Sequence, residues 1–409
     1  MIQQHTPHGN PHGNPNGNPH GTPQGSPQGT LHEASRGTSG EASRPGRRRR
    51  RARRLLLTCG ALALALLATG GVVWKFDLLS DNGEPMSFGR PYDPYGRQDG
   101  NAGPDRPGVS MPRGPSADFV RASRLSDGTE IGRTTLVGAK SGFTGDVWVW
   151  VPREYSDPRY EKSAFPVLIS LPGGRGYPKN YWMGTGLGLQ KAVTDGVRNG
   201  TSLPFILVMP VLNPDKKFYY DGSDIPGQPR MGTWMAEDVP DFVKANFRTF
   251  RSRDGWAFMG SSSGGFVALK QVVKYPERFK AVIASGPETA PDSPLWRGHR
   301  REMDANNPEK LAQRLIGRKG PDVYVNFQIG TKETGRAKLE RFMRLYGRGP
   351  VHTRLQVIED GEHNGKSYVR GMREGSLEWI SKVMLAPTPD PAPTPDPDAA
   401  PERDAAPDV

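Results

Sequence analysis

The stretch that most constrains the fold is Gly260–Gly265, which reads Gly-Ser-Ser-Ser-Gly-Gly. It follows a short apolar run at 256–259 and opens a segment, 266–273, in which apolar residues recur with helical spacing. This order predicts a strand, a tight turn and a helix, the setting in which G-x-S-x-G forms a nucleophile elbow. A Gly/Ser loop is the alternative, because both residues are common here, but the flanking strand and helix favour the elbow.

Ser262, at the centre of this motif, is the predicted nucleophile. A Cβ at Gly260 or Gly264 would clash with the neighbouring strand or helix, so the glycines permit a strained turn. The turn would present the Ser262 hydroxyl at the head of a helix, where free N–H groups and the helix dipole favour negative charge. The motif therefore predicts catalysis through a covalent serine intermediate.

A serine nucleophile needs a base, and the chain has eight histidines, five of them within its first 32 residues. The other three are His299, His352 and His363. In a triad built on an elbow, the order along the chain is serine, acid, histidine. His299 precedes any late strand, and His352 lies at the start of the predicted strand 353–358. His363 directly follows that strand and is the predicted general base.

The acid of the triad is expected between the serine and the histidine, at the end of a strand. The run 323–329 alternates in polarity and is rich in β-forming residues, and Gly-Thr-Lys-Glu follows it. Glu333 is therefore the predicted acid that fixes the histidine tautomer. Three other carboxylates lie closer to the histidine in sequence and remain alternatives: Glu359, Asp360 and Glu362.

Acyl transfer also requires donors that stabilise the oxyanion. The elbow supplies one, the backbone N–H of Ser263. The second is expected in the glycine-rich loop that follows the predicted strand 165–171. We predict the N–H of Gly174, and a register shift of one residue would transfer the role to Gly173 or Arg175.

Seven motifs together resemble those of an esterase family of α/β-hydrolases that includes esterase D-like enzymes, feruloyl esterases and mycolyltransferases. The resemblance spans residues 116–386 and implies a mostly parallel sheet with helices on both faces, and a triad of Ser262, Glu333 and His363. A glutamate as the acid is similar to the mycolyltransferase branch. Many members carry an aromatic residue two positions after the histidine, where this chain has Gly365 and a nearby aromatic, Tyr368. The motifs lie at 171–174, 180–182, 233–242, 260–265, 275–279, 330–333 and 361–364.

The resemblance implies a serine esterase that acts on carboxylic esters through an acyl-enzyme. An acyltransferase that moves the acyl group to an envelope sugar or polyol is the alternative, and a non-catalytic binding module of the cell envelope is an alternative of another class. Arg175 and Trp182 are the predicted substrate contacts, and the segment 287–307 is the predicted lid or pocket wall. We expect no metal, organic cofactor or nucleic acid partner, and we expect a monomer.

The first 75 residues predict attachment to a membrane. Residues 1–54 combine a Pro-x-Gly-x repeat with an arginine cluster and are predicted to be disordered and cytosolic. The segment 55–75 has no charge before Lys75, and about twenty apolar residues span a bilayer as a helix. The preceding arginines place the N-terminus in the cytosol and the rest of the chain outside. A cleaved signal peptide is the alternative.

The remaining chain is predicted to hold one α/β domain between two flexible segments. Residues 76–115 read as a linker and 387–409 as a Pro/Asp-rich disordered tail. The sole cysteine, Cys59, lies in the membrane segment, which excludes a disulfide or a Cys-based zinc site in the domain. The predicted strands are 130–137, 146–151 (exposed on one face), 166–171, 205–209, 256–259, 280–284, 323–329 and 353–358. The predicted helices are 189–198, 234–247, 265–275, 308–316, 336–346 and 376–384.

Overall fold

A computed structural model describes residues 83–88 and 107–390 of the chain. The predicted cytosolic segment, 1–54, and the predicted membrane segment, 55–75, lie outside the described residues. Among the residues that are described, no helix combines the length and apolar character needed to cross a membrane.

The described residues form a ten-stranded sheet and a separate two-stranded sheet. The order in the large sheet is β1-β3-β4-β5-β7-β6-β9-β10-β11-β12, and β2 pairs with β8 in the small one. The strands are β1 (Pro85–Met86), β2 (Val109–Ser110), β3 (Phe119–Arg124), β4 (Glu130–Val137), β5 (Thr144–Trp150), β6 (Val167–Leu171), β7 (Ile206–Pro210), β8 (Thr249–Phe250), β9 (Trp256–Ser261), β10 (Ala281–Ser285), β11 (Val323–Gly330) and β12 (Val351–Ile358).

Six neighbouring strands of the large sheet run parallel, in the order β7, β6, β9, β10, β11 and β12. Strands β1, β3, β4 and β5 pair with one another antiparallel, and β5 pairs antiparallel with β7. Every residue of β6, β7 and β10 is buried, so both faces of the central sheet are covered. The predicted one-sided exposure of strand 146–151 is wrong. Val147, Trp148, Val149 and Trp150 are at most 1% exposed, because the covered faces of the sheet bury both sets of side chains.

The helices lie in the connections between parallel strands and after the last one. Helix α3 packs on β9 and β10 and contacts α5, and α5 contacts α6. A single α-helical turn, Met231–Thr233, leads into a π-helical turn, Trp234–Asp238, which precedes α2. Another π-helical turn, Met372–Ser376, precedes α8. The helices are α1 (Leu189–Arg198), α2 (Val239–Asn246), α3 (Ser263–Lys274), α4 (Arg300–Ala305), α5 (Pro308–Gly317), α6 (Arg336–Tyr346), α7 (Gly365–Gly371) and α8 (Leu377–Ser381). Short 3₁₀ turns are Arg153–Ser156, Pro158–Tyr160, Tyr181–Met183, Thr185–Leu187, Arg253–Gly255 and Pro294–Trp296.

Two parts of the predicted linker, 76–115, pair with the domain. Strand β1 pairs antiparallel with β3, and β2 pairs antiparallel with β8. Met86 is 8% exposed and Val109 is 7% exposed, so each short strand buries an apolar side chain in the domain. The linker prediction overlooked these isolated apolar residues within a composition rich in Gly, Pro and charge.

On the C-terminal side of the domain, the N–H of Thr388 donates to Ser163 Oγ over 2.9 Å.

The segment 287–307, expected to be irregular, contains a 3₁₀ turn and helix α4. Trp296, in the 3₁₀ turn, is 3% exposed, and its indole Nε1–H donates to Asp221 Oδ2 over 2.7 Å. Ser293 Oγ donates to the carbonyl of Tyr219 over 2.5 Å. These two bonds fasten the segment to the loop that follows β7.

Candidate active site

Ser262 lies between β9 and α3 with a left-handed backbone, φ 53° and ψ −121°. Few L-residues adopt this conformation, and its occurrence between a buried strand and a helix is the geometry of a nucleophile elbow. The Ser262 N–H donates to the carbonyl of Ser285 at the end of β10 over 2.8 Å. The structure thus places the serine where the sequence predicts it, at the carboxyl edge of the parallel sheet.

The two elbow glycines lie where backbones approach too closely for a side chain. A Cβ on Gly260 would lie 2.3 Å from the carbonyl oxygen of Gly264. A Cβ on Gly264 would lie 2.3 Å from the carbonyl oxygen of Pro172, in the glycine-rich loop after β6. The predicted clash at both positions is confirmed, and the second contact brings this glycine-rich loop, 172–176, which we call the oxyanion loop, against the elbow.

Hydrogen bonds hold this loop against the elbow from two sides. Ser263 Oγ donates to the carbonyl of Gly174 over 2.7 Å. The N–H of Gly173 donates to Tyr181 Oη over 2.8 Å, and this hydroxyl also bonds Ser261 Oγ. The N–H of Gly173 is therefore already hydrogen-bonded, and this excludes Gly173 as the second oxyanion donor. Within the described part of the chain, the N–H groups of Ser263 and Gly174 bond no protein acceptor, so both are available to an oxyanion. The alternative donor, the N–H of Arg175, remains open.

Glu333 and His363 form a tight pair. His363 Nδ1 lies 2.6 Å from Glu333 Oε2, and the N–H of Gly330 donates to Glu333 Oε1 over 2.7 Å. The Glu333 side chain is 4% exposed, whereas that of His363 is 52% exposed. A buried carboxylate that is fixed by the strand end thus orients a histidine whose other face is open to substrate, as a triad requires.

The competing carboxylates are not placed to serve as the acid. The side chains of Asp360 and Glu362 are 77% and 60% exposed, and both lie within 4 Å of Lys332 Nζ, at 3.9 and 3.8 Å. The backbone carbonyl of Glu359 accepts a bond from Arg370. None of these residues bonds His363 in the described structure, so Glu333 is the acid that the geometry favours.

The pKa values of the pair shift in opposite directions. Burial alone would raise the pKa of Glu333, but the hydrogen bonds from His363, the Gly330 N–H and Tyr368 outweigh it and lower the pKa below its usual value. The hydrogen bond to Glu333 raises the pKa of His363, against the opposing effect of burial, and the charges of Glu333 and Glu288 raise it further. His363 is therefore a stronger base than a free imidazole.

Gly286 joins the histidine side of the site to the elbow. It follows Ser285, whose carbonyl accepts from Ser262, and it has φ 52°. A Cβ here would lie 2.3 Å from Tyr368 Oη, 2.7 Å from Glu333 Oε2 and 2.9 Å from His363 Cε1. In the described structure Ser262 Oγ forms no hydrogen bond with His363. Such bonds are often long without substrate and tighten in the Michaelis complex.

A cavity of about 190 Å³ opens beside the serine. One part of its wall is apolar and another carries carboxylates and a phenol. Burial raises the pKa of the Asp221 carboxyl, and burial together with the charge of Glu288 raises that of Asp292. This acidic wall disfavours an anionic substrate group. The lining residues are Leu212, Asn213, Tyr219, Asp221, Ser262, Ser263, Phe266, Val267, Glu288 and Asp292.

Lys270 supports the cavity wall and was missed by the sequence analysis. It is 1% exposed on α3, and its Nζ donates to Ser223 Oγ over 2.6 Å, to the Gly222 carbonyl over 2.5 Å and to the Asp221 carbonyl. Burial lowers its pKa well below the usual value. The sequence feature that could have indicated its burial is its position four residues after Phe266, on the apolar face of the helix.

Of the two predicted substrate contacts, one stacks on a residue that lines the cavity and the other is buried away from it. The Arg175 guanidinium lies 3.8 Å from the ring centroid of Tyr219, a lining residue, so it is near the cavity. Trp182 is fully buried, and its Nε1–H donates to the Leu171 carbonyl over 2.9 Å. The prediction of substrate contact is wrong for Trp182, because packing behind the oxyanion loop leaves its side chain no accessible surface.

The sheet, the elbow and the Glu333–His363 pair together agree with comparisons to known proteins. A family model described as "Putative esterase" matches residues 145–371, and the chain belongs to this family. The fold is similar to that of a ferulic acid esterase (TM-score 0.52, 18% identity, 63% of this chain and 98% of that one). It is also similar to an S-formylglutathione hydrolase from Agrobacterium tumefaciens (TM-score 0.50, 17% identity, 64% and 98%). The chain therefore has the fold of the α/β-hydrolases.

Sequence relatives match only part of the chain. An uncharacterized protein of Corynebacterium glutamicum is 26% identical over 267 residues, which are 61% of this chain and 60% of the relative. An esterase of Mycobacterium tuberculosis is 31% identical over 148 residues, 36% of this chain and 30% of the relative. The chain thus spans less than two thirds of the length of these relatives.

The elbow contacts predict that Gly260→Ala is strongly destabilising. The added Cβ meets backbone atoms that cannot move independently, so we expect a loss of about 3 kcal/mol or more in the free energy of unfolding. Gly317→Ala is the matched control, since no heavy atom lies within 4 Å of its added Cβ and the residue ends a helix. Urea denaturation of both variants measures the difference. Equal stabilities would contradict the close approach at the elbow.

Proposed function

We propose that this chain is a serine esterase that hydrolyses carboxylic esters, with Ser262 as nucleophile, His363 as general base and Glu333 as the acid. The observation that carries the proposal is the buried Glu333 carboxylate bonded to His363 Nδ1, adjacent through Gly286 to an elbow serine. Membership of the esterase family supports the same reaction class.

In the first step, His363 accepts the Ser262 proton as the hydroxyl oxygen attacks the ester carbonyl carbon. The proton is accepted at Nε2, because Nδ1 carries the hydrogen that bonds Glu333. The negative charge that develops on the carbonyl oxygen is stabilised by the N–H groups of Ser263 and Gly174. The C–O bond to the leaving group then breaks, and the imidazolium returns the proton to the departing alcohol.

In the second step, His363 removes a proton from water, which attacks the acyl-enzyme carbonyl. The same donors stabilise the second oxyanion, and the bond to Ser262 Oγ breaks as His363 reprotonates that oxygen. The products are the carboxylic acid and the free enzyme. The neutral form of His363 is needed for each attack, so kcat/KM falls at low pH as this group becomes protonated.

Three consecutive serines provide a sharp test of the nucleophile. We predict that Ser262→Ala lowers kcat for a p-nitrophenyl ester by a factor of about 10⁴ or more, because it removes the attacking oxygen. Ser263→Ala retains the backbone N–H and loses only the bond to the Gly174 carbonyl, so its loss should be far smaller. Stopped-flow or steady-state release of p-nitrophenol measures all three proteins. A folded Ser262→Ala protein with full activity would refute the esterase proposal.

A second prediction concerns the acid. We expect Glu333→Gln to lower kcat by orders of magnitude, because an amide neither stabilises the imidazolium nor fixes the tautomer. Asp360→Asn should have a small effect, since its side chain is 77% exposed and faces Lys332. Steady-state kinetics on the folded variants gives the ranking, and the reverse order would show that the wrong carboxylate was chosen.

Transfer of the acyl group to an alcohol is the runner-up activity. The observation in its favour is the polar wall of the cavity beside Ser262, which offers acceptors for hydroxyl groups. We predict that free acid exceeds acylated acceptor when p-nitrophenyl esters are turned over with millimolar glycerol or sugars. Chromatography of the products measures the ratio. A dominant acylated acceptor would make the protein a transferase.

We further propose that the esterase domain is anchored to a membrane and lies on the side opposite the cytosol. The support is in the sequence: the uncharged segment between residues 55 and 74 and the arginines that precede it. In this arrangement the active site meets esters that lie outside the cytosol.

A further inference from the structure

Tyr368 joins Glu333 and His363 in one polar cluster. It lies on α7, five residues after His363, and is 1% exposed. Its Oη donates to Glu333 Oε2 over 2.8 Å and lies 2.8 Å from His363 Nδ1. The carboxylate oxygen that bonds the histidine therefore has a second donor, and the three polar atoms form a closed triangle.

We infer that Tyr368 is a positioning residue, whose hydroxyl holds the Glu333 carboxylate and the His363 ring in the orientation needed by Ser262. This inference rests on the proposed function. Tyr368 is not among the residues that line the cavity and forms no hydrogen bond with Ser262 in the described structure, so it would act through Glu333 and His363.

The hydroxyl contributes to orientation in two ways. Donation to Oε2 prevents the Glu333 carboxylate from rotating about its last bond, while the Gly330 N–H holds Oε1. Oη also lies within hydrogen-bond distance of Nδ1, beside the N–H that bonds Glu333. The imidazole is thereby restrained on two sides, and Nε2 is left as the proton acceptor.

The hydroxyl also moderates the charge that the histidine experiences. The charged groups that act on His363 are Glu333, through the bonded carboxylate, and Glu288, through space. Each donor to Glu333 disperses its negative charge and weakens its attraction for the imidazolium. Removal of the Tyr368 hydroxyl should therefore raise the pKa of His363 further, and the acid limb of kcat/KM should move to higher pH.

Tyr368→Phe tests this role because it keeps the buried ring and removes the donor. We expect kcat to fall about tenfold with KM little changed, and the acid limb to shift upward. Tyr324→Phe is the control. Tyr324 lies at the opposite end of β11, and its ring stacks on His352 at 4.7 Å, so it is also a tyrosine beside a histidine. This control should retain the rate and pH profile of the unchanged protein.

A measurement that needs no turnover separates this inference from the esterase proposal. The pKa of His363 is determined by NMR titration of its imidazole in Ser262→Ala and in Ser262→Ala/Tyr368→Phe. The double variant should show the higher pKa, even if Ser262 proves not to be the nucleophile. Thermal unfolding confirms that each protein is folded at the start of the titration.

Two results would overturn the inference. One is a Tyr368→Phe protein whose kcat equals that of the unchanged protein. The other is a lower rate with an unchanged acid limb and an unchanged His363 pKa, which would reduce Tyr368 to a packing residue.

Discussion

The left-handed backbone of Ser262 is the constraint on which the rest of the site depends. A residue at φ 53° is held there by its surroundings: the N–H bond to Ser285 and the close backbone contacts of Gly260 and Gly264. The same contacts bring the loop after β6 against the head of α3, so one turn fixes the positions of both the proposed nucleophile and a proposed oxyanion donor. The buried strand β9 before the turn and the helix α3 after it hold the turn in this conformation.

The parallel sheet explains how distant residues meet at this turn. Strands β9, β10, β11 and β12 are neighbours in that order, and their carboxyl ends lie at one edge. Ser262 follows β9, Gly286 follows β10, the proposed acid Glu333 follows β11 and His363 follows β12. Gly286 and His363, which are 77 positions apart in sequence, thus lie close together, and a glycine after β10 provides the room that Glu333 and His363 require.

Much of this arrangement could be predicted from the sequence, because its signals are local. The elbow glycines, the strand that ends before Glu333 and the order of serine, acid and histidine are all patterns within short windows. Eight strands and six helices were predicted near their observed places, and the central parallel strands are the clearest because they are continuous apolar runs. The acid was harder to choose, since Asp360 is nearer to His363 in sequence and only the fold separates them.

The errors concern contacts that a local pattern does not contain. Trp182 is an aromatic residue next to the oxyanion loop, and nothing in the sequence shows that it packs inward. The bonds of Tyr368 depend on how α7 follows the histidine, and this helix was not predicted. Strand β1 is two residues long, and a single buried methionine distinguishes it from the surrounding linker. Each of these facts is decided by tertiary packing.

The most direct test of the account is to locate the modified residue after reaction with a fluorophosphonate. Peptide mapping by tandem mass spectrometry distinguishes the three adjacent serines, whose hydroxyl groups have different partners. We expect an adduct on Ser262 alone, because Ser261 Oγ bonds Tyr181 and Ser263 Oγ bonds the Gly174 carbonyl. An adduct on either neighbour, or a folded protein that remains unmodified, would contradict it.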